Sequence, residues 1–303
     1  MYDLVIIGGG PAGLTAGIYA ARARLKVCLI EKGMPGGLAA TTEIIENYPG
    51  FPEGIQGPEL MMKFQEQAEK LGVEIRTEEV TEFSLTGEIK RLHTSQGVIE
   101  GKAVILATGS KPLSLGVPGE AEFYGQGVSY CATCDGAFFR NRDVVVVGGG
   151  DAALDEAQFL TRFASRVTVI HRRDSFRAAR VSVERAESNP KIDFRLNSVI
   201  EGIVGDNKVE TILIKDTNNG ELSQIKAQGV FVYIGHSPNT VFLQGQVELT
   251  PQGYIKVDSK LSTNIPGVYA AGDVRDTPLR QVSTAVGDGA VASMEAERYL
   301  AGL

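Results

Sequence analysis

The chain has 303 residues, of which 43% are hydrophobic and 22% are charged, and its formal net charge is -7. This length and composition are typical of a globular enzyme with two domains, each large enough to form a sizeable core. The negative charge gives no field that would attract phosphate backbones or anionic lipid, so we expect neither nucleic acid nor a membrane among its partners.

The first predicted elements lie in Leu4–Ala21, a stretch without charged residues. Five glycines and Pro11 divide it into a strand, a turn and a helix, and no positive charge precedes it. These features favour a folded domain over a signal peptide or a membrane span. We therefore expect a cytoplasmic protein, in which closely spaced cysteines are more often reactive or metal-binding than permanently bonded.

The sequence repeats itself about 140 residues further along. VIIGGGPAGL at Val5–Leu14 returns as VVVGGGDAAL at Val145–Leu154, and KVCLIEKG at Lys26–Gly33 returns as RVTVIHRR at Arg166–Arg173. Each copy begins with an uninterrupted apolar run, as expected for a parallel strand buried on both faces, and continues through a glycine-rich turn into a helix. The pattern predicts two βαβ units.

Each glycine-rich turn matches a dinucleotide-binding fingerprint, with alanine at the third glycine position of the second copy. Its glycines allow a tight turn, close approach to a pyrophosphate and close packing of helix on strand. Two tight turns in an ordinary α/β core are the alternative, but both copies lie between a strand and a helix, as the fingerprint requires. The predicted cofactor-binding residues are Gly8, Gly10, Pro11, Ala12 and Gly13, followed by Gly148, Gly150, Asp151 and Ala152.

The residues that end the second strand of each unit distinguish the two sites. Glu31 ends the first unit, where a carboxylate can accept a hydrogen bond from a ribose hydroxyl and would repel a phosphate. His171, Arg172 and Arg173 end the second unit, and Arg177 follows; guanidinium groups suit a 2′-phosphate. A solvated basic turn is the alternative reading of these arginines. The first site is predicted to bind FAD or NAD, and the second NADP(H).

Two similar stretches predict where the chain crosses between domains. AVILATGSKP at Ala103–Pro112 and GVFVYIGHSPN at Gly229–Asn239 are each a predicted buried strand followed by glycine and proline. The fold is therefore predicted to be α/β, with two Rossmann-like nucleotide-binding domains: one at 1–114 and 240–303, and one inserted at 115–239. Gly116–Gly119 and Ser237–Asn239 are predicted hinges.

The C-terminal part is predicted to complete the first nucleotide site. A strand at Val268–Ala271 ends in Gly272 and Asp273, and a helix is expected from about Ser283 to Leu300. Glycine allows close backbone approach, and the aspartate can accept a hydrogen bond from a sugar-like hydroxyl.

The stretch SYCATCDGAFF at Ser129–Phe139 holds two of the three cysteines. The pair can be a metal clip, a haem attachment, a permanent disulfide or a redox dithiol. Cys28, in a predicted buried strand, and three scattered histidines do not complete a zinc site, and Asp135 follows Cys134 where a haem motif has histidine. A permanent disulfide fits a cytoplasmic chain poorly. A redox dithiol remains, with no metal expected, and Asp135 is either its general acid or a turn residue.

Over essentially its whole length the chain resembles the bacterial-type, low-molecular-weight thioredoxin reductases, through GGGPAG, ENYPG, ATG, CATCDG, GGGDAAL, HRRDSFR, GHSPNT and AAGD in order. The resemblance implies a homodimeric flavoprotein oxidoreductase that binds FAD in the first domain and NADPH in the inserted one, and reduces thioredoxin or a thioredoxin-like protein. It implies that Cys134 faces the flavin, Cys131 attacks the partner disulfide and Asp135 moves the proton. It also implies that one domain rotates, so that nicotinamide and dithiol alternate at the flavin. The implied FAD residues are Glu31, Asn47, Thr108, Gly109, Gly272, Asp273, Arg280 and Gln281, and those for NADPH include His171, Arg172, Arg173 and Arg177.

Three positions depart from the family pattern. Leu38 stands where members usually have a glutamine beside the flavin, and Gln126 and Ala137 replace residues associated with holding thioredoxin. These departures leave the partner less certain than the chemistry. The alternatives are a reductase for another carrier, such as a glutaredoxin-like protein or a peroxiredoxin partner domain, a ferredoxin-fed relative, and a non-enzymatic flavoprotein that acts as a redox sensor.

Overall fold

The computed structural model describes residues 1–42, 44–243 and 245–302. Its strands are β1 (Tyr2–Ile7), β2 (Val27–Glu31), β3 (Ile44–Ile45), β4 (Ile55–Gln56), β5 (Glu74–Thr77), β6 (Val80–Ser84), β7 (Lys90–Thr94), β8 (Gly97–Leu106), β9 (Ser110–Pro112), β10 (Val128–Ser129), β11 (Asp143–Gly148), β12 (Arg166–Ile170), β13 (Ile192–Arg195), β14 (Ser198–Val204), β15 (Thr211–Asp216), β16 (Leu222–Lys226), β17 (Gly229–Tyr233), β18 (His236–Pro238) and β19 (Val268–Ala270). Its α-helices are α1 (Pro11–Arg22), α2 (Gly57–Lys70), α3 (Ala132–Asp135), α4 (Asp151–Leu160), α5 (Arg180–Glu187) and α6 (Val282–Ala301). Short 3-10 turns lie at Gly37–Thr41, Gly136–Phe139, Val241–Leu243 and Gly272–Val274.

The chain forms two compact units, and the second interrupts the first in sequence. The first unit comprises Met1–Lys111 and Ser237–Leu303, and the second comprises Pro112–His236. The predicted α/β class, with an inserted Rossmann-like unit, is therefore confirmed. The functional domain boundaries, predicted a few residues further along at each crossing, stay a prediction.

The first unit is built on a seven-stranded sheet in the order β5-β2-β1-β8-β7-β6, with β19 also paired to β8. Strands β5, β2, β1, β8 and β19 pair in parallel, whereas β6 and β7 are antiparallel. Leu4 and Ile6 of β1 face the core that contains α1, α2 and α6, and Val5 and Ile7 face a second apolar cluster. Both faces of β1 are buried, which explains its uninterrupted apolar sequence.

The second unit contains a five-stranded, fully parallel sheet in the order β10-β17-β11-β12-β13. On one face Val146 packs in a cluster with Leu154 of α4 and Ala186 of α5. On the other face Val145 packs with Ile212 and its neighbours from the antiparallel sheet β14-β15-β16. The central strands are again covered on both sides.

The predicted repeat is present as β1-α1-β2 in the first unit and β11-α4-β12 in the second. Val5 lies opposite Cys28 in the first copy, and Val145 lies opposite Thr168 in the second, so equivalent residues of the repeat are paired in both. Helix α6 extends one residue beyond the predicted C-terminal helix at each end. Within the described ranges, none of the helices combines the length and apolarity needed to span a bilayer.

The chain crosses between the units at Lys111–Pro112 and at His236–Ser237, and the second crossing overlaps the hinge predicted at Ser237–Asn239. Strands β9 and β18, which contain the crossing points, pair with each other. The predicted hinge at Gly116–Gly119 lies within the second unit, where the buried Glu120 carboxylate accepts the backbone N–H groups of Leu115 and Gly116, each at 2.7 Å. A Cβ atom added to Gly119 would lie 2.0 Å from the carbonyl oxygen of Ile203. This segment is therefore anchored in the second unit.

Candidate functional site

The first glycine-rich turn holds helix α1 directly against strand β8. A Cβ atom added to Gly8 would lie 2.2 Å from the carbonyl oxygen of Ala107, and one added to Gly13 would lie 1.8 Å from that of Gly8. By contrast, no atom lies within 4 Å of a Cβ built on Gly10. Helix α1 begins at Pro11 with no side-chain cap, so its first N–H groups remain available to an anion. Gly8 and Gly13 allow the close packing that positions helix α1, and Gly10 leaves room for a ligand.

Glu31, at the end of β2, presents its carboxylate to a cavity beside this turn. Its two oxygens accept the backbone N–H groups of Gly9, at 2.7 Å, and Gly33, at 3.1 Å. An ionised carboxylate has about four acceptor positions, so capacity remains for sugar hydroxyls. The cavity has a volume of about 250 Å³, and Thr108 and Asn239 also line it.

Thr108 and Gly109 are joined to Asn239 by three hydrogen bonds. The Thr108 hydroxyl donates to the Asn239 carbonyl oxygen at 2.9 Å, and the Asn239 amide nitrogen donates to the Thr108 carbonyl oxygen at the same distance. The Asn239 backbone N–H donates to Gly109, whose φ is 64°. The structure thus brings the predicted residue Thr108 to the cavity, together with Asn239, which sequence reasoning did not select, and Gly109 is hydrogen-bonded to that asparagine.

The C-terminal segment packs closely on the start of α1. A Cβ atom added to Gly272 would lie 2.9 Å from the Cβ of Ala12, and one added to Gly289 would lie 2.2 Å from the Ala12 carbonyl oxygen. The Asp288 carboxylate accepts the backbone N–H of Gly272 at 3.0 Å and two guanidinium N–H groups of Arg275 at 2.6 and 2.7 Å. This partly buried ion pair fixes Gly272 beside the first glycine-rich turn.

Four further predicted FAD residues lie in the same unit. Burial raises the pKa of Asp273, and the positive charge of Arg280 opposes that rise. The Arg280 guanidinium lies 4.2 Å from the ring centre of Tyr254, and its buried Nε has no hydrogen-bond acceptor among the described residues. Asn47 donates to the side chain of Gln281 at 2.9 Å. An unsatisfied buried donor is costly, so the Arg280 Nε fits an acceptor that a bound cofactor would supply.

The second glycine-rich turn repeats this geometry in the second unit. A Cβ atom added to Gly148 would lie 2.3 Å from the carbonyl oxygen of Tyr233, whereas no atom lies within 4 Å of one built on Gly150. Ala153 takes the place of the third glycine and is fully buried. The turn therefore has the same open position as the first copy.

The arginine-rich loop is tied to this turn by its backbone. The Arg177 N–H donates to the Gly149 carbonyl oxygen at 2.7 Å, and the Ala179 N–H donates to the Asp151 carboxylate at 2.6 Å. Asp151 and Ala152 open α4 and are exposed. The predicted NADPH residues of the turn and of the loop are therefore neighbours.

The buried side chain of His171 packs against both the arginine-rich loop and the glycine-rich turn. Its ring is 5% exposed, stacks on Phe176 and lies so near Gly149 that an added Cβ would be 2.2 Å from a ring carbon. Its Nε2 lies 3.1 Å from the Ser175 carbonyl oxygen, which assigns a proton to that nitrogen. Burial lowers the pKa of His171, and the three neighbouring arginines lower it further. Contact between His171 and the cofactor stays a prediction.

The three arginines of the loop are available to a ligand. Arg172, Arg173 and Arg177 are all exposed. In the part of the chain that the structure describes, none of these guanidinium groups is paired with a carboxylate. Exposed cations without an internal partner beside an open glycine-rich turn are suited to phosphate recognition.

The cysteine pair forms a disulfide bond at the short helix α3. Cys131 precedes the helix and is half-buried, whereas Cys134 lies within it and is exposed. The backbone N–H of Cys134 donates to the Cys131 sulfur at 3.2 Å. A donor aimed at this sulfur would stabilise negative charge on it once the disulfide is reduced.

Two buried hydroxyl groups hold the backbone around the disulfide. The Ser129 oxygen accepts the Cys131 N–H at 3.0 Å and lies 2.6 Å from an Asp135 carboxylate oxygen. The Tyr233 oxygen accepts the Ala132 N–H at 2.8 Å, and burial raises the Tyr233 pKa above its ordinary value. Neither Ser129 nor Tyr233 was selected from the sequence, because a single serine or tyrosine carries no recognisable spacing.

The remaining cysteine is separate from this chemistry. Cys28 is a buried free thiol in β2, as predicted, and burial raises its pKa to about 12. Across the described ranges, histidine, cysteine and acidic side chains form no group of three that could hold a metal ion.

The three departures from the family pattern all lie at the surface. Leu38 is 36% exposed in the 3-10 turn that follows β2. Gln126 and Ala137 are exposed in the second unit, and Phe138, beside Ala137, is 74% exposed. The segment that follows the disulfide in sequence thus carries an exposed apolar side chain.

The chain is similar to known proteins over almost its whole length. A family model described as pyridine nucleotide-disulphide oxidoreductase matches residues 2–289. A thioredoxin reductase of Mycolicibacterium smegmatis is 51% identical over 302 residues, covering 99% of this chain and 97% of that protein. A bifunctional thioredoxin reductase/thioredoxin of Mycobacterium leprae is 47% identical over 303 residues, covering 99% of this chain and 66% of that protein. Among solved structures, a Lactococcus lactis thioredoxin reductase in its FR conformation has a TM-score of 0.98 at 45% identity, with 100% of both chains covered.

Proposed function

The chain belongs to the pyridine nucleotide-disulphide oxidoreductase family, among its bacterial-type thioredoxin reductases, and we propose that it passes electrons from NADPH through FAD and the Cys131–Cys134 disulfide to thioredoxin. The observation that carries this proposal is the disulfide, which lies at the surface of the unit that also contains the arginine-rich nucleotide site. Its neighbours include an N–H group directed at sulfur, which would stabilise a thiolate, and the Asp135 carboxylate, which can act as a general acid.

FAD fits the first unit on three observations. The space at Gly10 is open in front of the uncapped start of α1, Glu31 keeps unused acceptor capacity at a cavity, and the buried Arg280 Nε has no acceptor among the described residues. We assign its pyrophosphate to the turn and a ribose to Glu31. When bound, FAD accepts a hydride from NADPH and passes two electrons to sulfur.

NADPH fits the second unit by the same argument. The open position at Gly150 receives the pyrophosphate, and Arg172 and Arg177 recognise the 2′-phosphate with exposed guanidinium groups. Asp151 holds the loop through Ala179, so its role here is to position the arginines.

In the exchange with thioredoxin, the Asp135 carboxylate accepts and returns every proton that is transferred. Reduction of the Cys131–Cys134 bond takes up two electrons and two protons and gives two thiols. The Cys131 thiol gives its proton to Asp135 and attacks one sulfur of the partner disulfide, which breaks; the partner sulfur that leaves takes the proton from Asp135. The Cys134 thiol then gives its proton to Asp135 and attacks the Cys131 sulfur. The internal disulfide re-forms, and the second partner sulfur leaves with the proton from Asp135.

The nicotinamide and the dithiol belong to one unit, yet both must reach FAD in the other. We propose that they alternate there by rotation of the units about the connections near residues 111 and 237. A structure with the nicotinamide and the disulfide both against the flavin in one arrangement would refute this.

Thioredoxin is the proposed partner, and the M. leprae relative, whose name combines reductase and thioredoxin in one chain, supports it. We also propose that the protein works in the cytoplasm and as a homodimer. Gln126 and Ala137, exposed in the unit that carries the disulfide, are the positions at which we expect the choice of partner to be made.

The test is electron transfer by the FAD-loaded wild type and by Cys131→Ser, followed by flavin absorbance. NADPH should bleach both proteins, and thioredoxin should restore the absorbance of the wild type only. Absence of bleaching by NADPH and by NADH would exclude the enzyme, and restoration in Cys131→Ser would exclude the role of that sulfur. A panel of thioredoxins, glutaredoxins and small disulfides identifies the carrier.

A further inference from the structure

Ser129 makes three polar contacts around the disulfide with a single hydroxyl group. Its oxygen lies 2.6 Å from an Asp135 carboxylate oxygen, 3.0 Å from the Cys131 nitrogen and 3.2 Å from the Cys131 carbonyl oxygen. We propose that Ser129 is a positioning residue whose hydroxyl hydrogen turns between Asp135 and the Cys131 carbonyl, so that Asp135 stays hydrogen-bonded in place in both its ionised and its protonated form. The inference rests on the proton-transfer role given to Asp135 in the proposed function.

The hydroxyl is held in one place by the sheet. Ser129 ends β10, lies opposite Phe231 of β17 in parallel register and is 2% exposed. Because the side chain is buried and its backbone is paired, the oxygen cannot follow a moving carboxylate. Only the rotation of its hydrogen is free.

The hydrogen-bonding capacity of a hydroxyl matches both states of the carboxyl. A serine hydroxyl has one donor and two acceptor positions. With Asp135 ionised, Ser129 donates to the carboxylate and accepts the Cys131 N–H. With Asp135 protonated, the carboxyl O–H donates to the Ser129 oxygen, the Cys131 N–H is still accepted, and the serine hydrogen turns to the Cys131 carbonyl oxygen at 3.2 Å. Every group is satisfied in each state without movement of a heavy atom.

This property matters because Asp135 gains and loses a proton twice in each exchange with a partner disulfide. A fixed donor, such as a backbone N–H, would stabilise only the ionised form. A hydroxyl that can also accept serves both forms and keeps the carboxyl oriented next to the cysteines throughout.

The test is a double-mutant cycle on the holoenzyme, with the rate at which thioredoxin reoxidises the reduced protein as readout. Ser129→Ala should slow this step about ten-fold, since a hydrogen bond to a charged group is lost. In the Asp135→Asn background the same substitution should change the rate by less than about two-fold, because Ser129 acts through the carboxylate. Ser129→Thr, which keeps a hydroxyl, should restore most of the rate.

Tyr233→Phe is the matched control, since it removes the other hydroxyl that holds this loop, which accepts the Ala132 N–H rather than a hydrogen bond from Asp135. Its effect should be equal in both backgrounds. The hydrogen bond from Ser129 to the ionised carboxylate is stronger than the one it accepts from the protonated form. The rate plotted against pH should therefore move to higher pH in Ser129→Ala and not in Tyr233→Phe.

Three outcomes would overturn the proposal: a ten-fold loss from Ser129→Ala that persists in Asp135→Asn, a pH profile unchanged in Ser129→Ala, or a wild-type rate in that variant. These results leave the proposed function intact as long as Cys131→Ser fails to reduce thioredoxin. Thioredoxin reduction by Cys131→Ser would instead refute the function itself.

Discussion

Replacing Arg172 and Arg177 by alanine tests the assignment of the second nucleotide site. Both guanidinium groups are exposed, and the Arg177 backbone is bonded to the glycine-rich turn at 2.7 Å. A charge-assisted contact with phosphate contributes about 1.5–3 kcal/mol, and exposure to solvent places these contacts at the lower end. Each substitution should therefore lower kcat/KM for NADPH roughly ten-fold, and the double variant roughly 30- to 100-fold.

NADH provides the internal reference because it lacks the 2′-phosphate. Its kcat/KM, measured by the same flavin bleaching assay, should fall less than about three-fold in the double variant. Arg180→Ala is the matched control, since Arg180 is also exposed but is paired with Glu184 on α5 at 2.8 Å; it should leave both nucleotides unaffected. Equal losses with NADPH and NADH would show that these arginines do not read the 2′-phosphate.

Four further predictions concern the first unit. Gly10→Ala should fold normally, since the Gly10 φ of -76° suits alanine, but it should retain less FAD because the new methyl group enters the open space. Gly13→Ala should lower the free energy of unfolding in urea by more than about 2 kcal/mol, because its Cβ would lie 1.8 Å from the Gly8 oxygen. Burial raises the pKa of Asp273 above 3.8, so the folded apoprotein binds the carboxyl proton more tightly than the unfolded chain does and loses stability as pH rises. Asp273→Asn should therefore raise the apoprotein Tm at pH 7, and this gain should shrink toward pH 3.8. The same variant should retain less FAD. Cys28, whose pKa is raised to about 12, should escape alkylation in the folded, NADPH-reduced protein and react only after denaturation; labelling of three cysteines in the native protein would contradict this.

The sequence repeat predicted the two βαβ units, because a buried parallel strand and a phosphate-binding turn both constrain residue type at fixed spacing. Val5 opposite Cys28 and Val145 opposite Thr168 are equivalent pairs in that repeat. Ser129 could not be found in this way, since its role depends on three oxygen and nitrogen distances that no periodicity encodes. Hydrogen bonds that depend on the orientation of side chains, and carry no periodic pattern, become visible only in the structure.

The predicted hinge at Gly116–Gly119 shows the same limit. Glycine and proline there indicate a break in regular structure, and a break in structure suits either a hinge or a tight turn. Glu120 decides between them by accepting two backbone N–H groups, and its side chain is only 4% exposed. A buried carboxylate that accepts these two N–H groups anchors the segment within the second unit.

The third glycine of the fingerprint is Gly13 in the first turn, and alanine replaces it as Ala153 in the second. This difference is explained by the elements that pack on each nucleotide-binding helix. Helix α1 lies between the first turn and α6, and a Cβ at Gly289 of α6 would lie 2.2 Å from the Ala12 carbonyl oxygen. Because α6 holds α1 against the turn, Gly13 has no room for a side chain. In the second unit, α4 accommodates Ala153 at the equivalent position, fully buried, with its Cβ 2.8 Å from where a Cβ on Gly148 would lie. The close-packing glycine is therefore required where a helix from the far end of the chain packs on the nucleotide-binding helix. The open glycine, Gly10 or Gly150, is common to both turns, as our proposal that each turn binds a pyrophosphate requires.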